Sequence, residues 1–186
     1  MTDKLMLAAM GIFIIPLLGC HSVNKCEQSI SEHPPAAVKE KIERLLPLVL
    51  EWYTLIEQQL LPQGRRLSPT EQQRARELGV QAPQEVRVVV LEAFPLPENE
   101  TLCQEAIKHG YGGPDEGGRT HGYVIMLKPE FEDDSAILSH ELIHVAQHDR
   151  MGREAFLRQY LIELETVGYA RSPLELEAYG RQQRID

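Results

Sequence analysis

The chain has 186 residues, enough for one domain with a real core and too few for two comfortable ones. With 42% hydrophobic and 25% charged residues it has an ordinary globular composition, which excludes wholesale disorder. The formal charge of −9, with no run of Lys or Arg, argues against a nucleic-acid partner.

In chain order, Lys4 opens an apolar stretch from Leu5 to Leu18 that ends in Gly19-Cys20. The run falls short of the roughly 20 residues a membrane-spanning helix needs, and Pro16 interrupts it. A basic start, a short apolar core and small residues at a cleavage point are the layout of a secretory signal peptide, here residues 1–19. Leu17-Leu18-Gly19-Cys20 resembles a bacterial lipobox, which implies a lipid on Cys20 and a lipoprotein anchored to a membrane of the bacterial cell envelope. Residues 20–35 are polar, end in Pro34-Pro35 and read as a tether. In an oxidising compartment Cys26 and Cys103 either bridge tether to domain or stay as two free thiols. No Cys has a partner at metal-ligand spacing, so a thiolate zinc site is excluded.

The domain proper is residues 36–186. From Ala36 to Leu60 apolar residues recur at three- and four-residue steps, a helix that Pro47 should kink or split. Ser68-Pro69-Thr70-Glu71 is a helix start with a cap, Pro at the first position and a capping-box Glu, and Gly79 should stop that helix. Val86–Leu91 is β-branched and bounded by Pro83 and Pro95, a strand. A short helix over Leu102–Lys108 leads into the glycine-rich stretch 110–118, which lacks a phosphate-binding order and reads as a mobile loop. Tyr123–Leu127 is the second strand. Asp133, Asp134 or Ser135 can cap a helix through Gln147, a further helix spans Arg153–Val167, and Ser172-Pro173-Leu174-Glu175 opens the last. Two strands among about six helices make an α+β domain, mostly helical, with a small sheet beside the motif helix.

That motif is His140-Glu141-Leu142-Ile143-His144. On a helix, residues four apart lie one turn apart on one face, so both imidazoles reach one metal ion. Glu141 beside them is placed as a general base rather than as a ligand. Zinc lowers the pKa of bound water to about 7, and the carboxylate accepts its proton as a carbonyl is attacked. His148 shares the face but lies about 12 Å along the axis from His140, too far for one ion, and is read as a surface or substrate-contacting residue. Arg150 stands where the extended metzincin motif has a third His, so the third ligand comes from a later helix, where Glu175 and Glu177 are the candidates.

Here the sequence resembles the small gluzincin-like metallopeptidases, whose motif helix reads His-Glu-Leu-x-His-x-x-Gln and whose downstream helix supplies a Glu in a Glu-x-x-Ala setting. The resemblance covers about residues 120–180 and puts the third ligand at Glu175, three residues before Ala178 and 31 after His144. Glu175 also occupies the capping-box position after Ser172, a competing role. Tyr179 stands where such helices often have Asp. The resemblance implies a zincin-like fold, a Zn2+ site of His140, His144 and Glu175, and peptide-bond hydrolysis on a peptide or protein substrate. It also implies that the strand before the motif helix, Tyr123–Leu127, is an edge onto which a peptide adds; an ordinary core strand is the alternative. His121 and Tyr169 are candidates for steadying an oxyanion, against plain packing roles. The competing function is a non-catalytic envelope lipoprotein whose zinc is structural and whose work is binding.

Overall fold

A computed structural model of the chain describes residues 25–182, with the side chains of 25–28 left aside. The expected signal peptide and the lipidated Cys20 lie outside the described residues, as does the Cys26 side chain; Cys103 is a free thiol. Seven α-helices lie among the described residues: α1 Lys25–Glu32, α2 Ala36–Leu60, α3 Pro69–Leu78, α4 Glu100–Lys108, α5 Ser135–Met151, α6 Arg153–Thr166 and α7 Pro173–Arg181. Four strands join them: β1 Arg65–Arg66, β2 Arg87–Val90, β3 Gly118–His121 and β4 Val124–Leu127. The α+β expectation holds, with two more strands than the sequence suggests. None of the described helices is long and apolar enough to cross a membrane.

Part of the expected tether is helical. No Gly or Pro interrupts Lys25–Glu32, and the break comes only at Pro34-Pro35. Pro47 does not split α2, which runs unbroken through it. The missing N–H costs one backbone bond, but Leu46 and Val49 on either side are buried against Phe156, Leu157 and Leu174, and that packing holds the helix. The cap signals work as read: Ser68 and Glu71 form a reciprocal capping box, Gly79 closes α3 in the left-handed region, and Asp134 caps α5 through the amides of Ala136 and Ile137.

The sheet order is β1-β2-β4-β3, with β2 parallel to β4 and the outer pairs antiparallel. This corrects one expectation. The strand read as a peptide-accepting edge is β4, which has neighbours on both sides, and the edge next to α5 is β3. All four residues of β4 are buried, as befits a strand covered on both faces. On one face Val88, Ile125 and Leu127 pack with Leu142, Ile143 and Val145 of α5. On the other Val89, Val124 and Met126 meet Ile56 of α2 and Phe94. The sheet thus lies between α2 and α5, and β3 brings its Gly118 and Thr120 against the middle of α5.

Candidate metal centre

α5 is buried without a break from Ile137 to His148, so its polar motif residues sit inside the protein. His140, Glu141, His144 and Glu175 are 2%, 6%, 7% and 1% exposed. Burial at this depth demands partners. The Nε2 atoms of His140 and His144 are 3.1 Å apart; Glu175 Oε2 lies 3.1 Å from the first and Oε1 3.5 Å from the second. These three residues form a group able to hold a metal ion, their ligand atoms all within 4.8 Å of one another.

The donor chemistry fits a cation. Gln147 gives its side-chain N–H to the Leu174 carbonyl at 2.9 Å, which fixes the amide's orientation, and its Oε1 lies 2.9 Å from His144 Nδ1. His144 therefore donates from Nδ1 and turns Nε2 toward Glu175. Gln182 Oε1 stands 2.9 Å from His140 Nδ1 in the same way. Two imidazole lone pairs and a carboxylate then converge, an arrangement that requires positive charge between them. Burial alone would lower the His144 pKa, yet Glu175 outweighs it and lifts it to about 9. Burial would raise the Glu175 carboxyl, and the two imidazoles hold it well below the usual range instead.

The Glu175 carboxylate is not held by the cap, because of a residue the sequence did not flag. Ser172 Oγ accepts from the Glu175 amide at 3.3 Å, half of a capping box. The carboxylate at the head of α7 is Glu163 of α6, which accepts from Ser172 Oγ at 2.5 Å and from the Leu174 amide at 3.0 Å. Glu175 is left free to face the imidazoles, where Tyr160 donates to its Oε1 at 2.8 Å. Glu177 stays outside the triad: it pairs with Arg150 and Arg181 and accepts from Gln147 Nε2 at 3.1 Å.

Glu141 lines the same cavity as the triad. Thr120 of β3 donates to its Oε2 at 2.7 Å, and burial raises its carboxyl above the ordinary range, although both imidazoles pull it down. Gly118 makes room for it: a Cβ there would lie 2.6 Å from Glu141 Oε1. The glycine-rich stretch is ordered by Glu116, which accepts from the Gly112 amide at 2.7 Å and pairs with Arg119.

Among the other candidates, His121 and His148 pack against aromatic rings. His121 is 1% exposed, stacked on Tyr53 at 4.2 Å and edge-on to Trp52. His148 is not a surface residue; its ring lies between those of Tyr53 and Phe156. Tyr169 lines the cavity and meets Tyr179 at 3.2 Å, hydroxyl to hydroxyl, while Tyr179 packs on His140. Glu105, His109 and Glu165 also converge, but the Lys41 ammonium already bridges Glu105 at 2.6 Å and Glu165 at 2.8 Å, so this cluster is internally neutralised.

Of the residues the sequence singled out, His140, Glu141, His144 and Glu175 come together and Glu177 does not. Gln147 was visible only as a motif letter, though its place one turn after His144 is a legible signal. Thr120, Tyr160, Glu163 and Gln182 carry no local signal at all. No family model, no curated protein and no solved structure matches the chain.

Proposed function

We propose that the chain is a zinc-dependent peptidase of gluzincin-like type, with His140, His144 and Glu175 as the ligands and Glu141 as the general base. One observation carries the reading. A three-residue ligand set, rather than a closed set of four, shares its cavity with a buried carboxylate that is not a ligand. A divalent cation held there supplies a Lewis acid that polarises a carbonyl and acidifies water. Thr120 occupies Glu141 Oε2, which leaves Oε1 to take a proton from the attacking water and pass it to the leaving amine. Desolvation, by raising the Glu141 pKa, favours that uptake. The free edge of β3 offers backbone N–H and C=O groups on which an extended peptide would be held beside Glu141. The lipobox at Cys20 supports placing the enzyme at the cell envelope on a lipid anchor.

The decisive variant is Glu141→Gln, which keeps shape and ligands but removes the proton acceptor. Peptide hydrolysis should fall by ~10²–10⁴-fold with zinc content and melting temperature close to wild type. A variant that cleaves as fast as wild type sinks the mechanism. A zinc-loaded wild type that cleaves nothing in a broad peptide library, and unfolds when chelated, would instead favour structural zinc in a binding lipoprotein.

A further inference from the structure

The cavity that contains the triad and Glu141 has a second, different wall. Val49 and Trp52 of α2 and Leu157, Leu161 and Leu164 of α6 face it, a surface built where these two helices pack together. The charged side chains on the remaining wall are already committed to one another. Arg119 gives Nε and Nη2 to Glu116 at 2.6 and 2.8 Å and Nη1 to the Pro95 carbonyl at 2.6 Å. His109 lies 2.6 Å from Glu165, which Lys41 and Lys108 also hold. A charged group entering here would leave water without finding a partner. An apolar group would gain burial against the leucines.

We propose that this wall is the specificity pocket of the site, taking a large uncharged side chain, leucine- to phenylalanine-sized, on a residue flanking the cleaved bond. The inference rests on the peptidase reading above and adds the substrate class to it. The apolar surface begins within the same cavity as Glu141 and the ligands, so the side chain that fills it belongs to a residue next to the reacting carbonyl.

The test needs no turnover. Zinc-loaded protein is titrated with hydroxamates of N-acetylated Phe, Leu, Ala, Asp and Lys, which share one chelating group and differ in one side chain. The Leu and Phe compounds should bind at least ~10-fold more tightly than the Ala compound, the discrimination expected of a few methylenes in an apolar pocket. The Asp and Lys compounds should bind no better than Ala. In Leu161→Ala the advantage of Leu and Phe should shrink. In Leu161→Asp the Phe compound should weaken and the Lys compound strengthen, with melting curves confirming that both variants fold. Equal binding of all five compounds, or preference for a charged one by the wild type, overturns the pocket and leaves the peptidase reading standing. Failure of every compound to bind zinc-loaded protein overturns both.

Discussion

The side chain of Gln147 donates to the carbonyl of Leu174 at 2.9 Å and to Glu177 Oε2 at 3.1 Å, and these two bonds decide which nitrogen of His144 faces His140 and Glu175. They also tie α5 to the start of α7, one residue before Glu175, the proposed third ligand. Gln147→Leu removes the acceptor for His144 Nδ1 and the donor that reaches Leu174 and Glu177. Zinc affinity, measured by competition with a chelator, should fall ~10–100-fold, as for other residues that orient a metal-bound imidazole. Unchanged affinity would remove Gln147 from the site.

Glu175 and Glu177 separate cleanly. Glu175→Gln should abolish stoichiometric zinc in the purified protein, measured by elemental analysis. Glu177→Gln should retain it, at a cost in stability within about 1 kcal/mol, because the pairs with Arg150 and Arg181 are part-exposed. Full zinc occupancy in the Glu175 variant would reassign the ligand.

Gly118→Ala tests the fit of β3 against Glu141, the proposed general base. The backbone of Gly118 is not in the left-handed region, so alanine meets no conformational penalty there. Its methyl group would nevertheless lie 2.6 Å from Glu141 Oε1 and must displace it. Hydrolysis should drop at least ~10-fold while zinc stays bound, because a misplaced reacting group is costly. Wild-type turnover in this variant would show that Glu141 works from another position.

Acid should destabilise the fold in two steps. His148 has its pKa lowered to about 4 by burial, with Arg153 adding to the effect, and burial pushes His121 down too. Between the ordinary value of 6.5 and the folded value the unfolded chain binds more protons. The His148 contribution is therefore complete above pH 6.5 and is lost as the pH falls through about 4, and that of His121 is lost in the same direction. Burial would raise Glu165, but Lys41, His109 and Lys108 outweigh it and hold it at about 2, so its share is lost between pH 4.5 and 2. His148→Phe should flatten the decline in melting temperature between pH 6.5 and 4 only. A slope as steep as the wild type's would exclude His148 as a source.

How far these features could be read beforehand depends on whether their cause is local. The motif helix, the Ser68–Glu71 box and the strand over β2 are set by neighbours within a turn or two, and the sequence states them. β3 is different: Gly-Arg-Thr-His has no apolar alternation, because its buried face is Arg119 against Glu116 and His121 against Tyr53. Nothing nearby in the chain announces those partners. Of the two roles open to Tyr123–Leu127, edge and core strand, the core strand is the one found, and its continuous apolar run is the signal of a strand covered on both faces. The freedom of Glu175 from its cap depends on Glu163, on a separate helix, and was out of reach of any local rule.

The apolar wall has a practical consequence. Trp52 is the chain's only tryptophan, and it stands on that wall, edge-on to His121 at 4.8 Å and 5.9 Å from the Arg119 guanidinium. Its emission therefore reports on one place alone. A molecule entering the cavity alters the polarity around a single indole, and no other fluorophore of its kind dilutes the signal. The protein carries its own optical gauge of occupancy, readable without a label and without turnover.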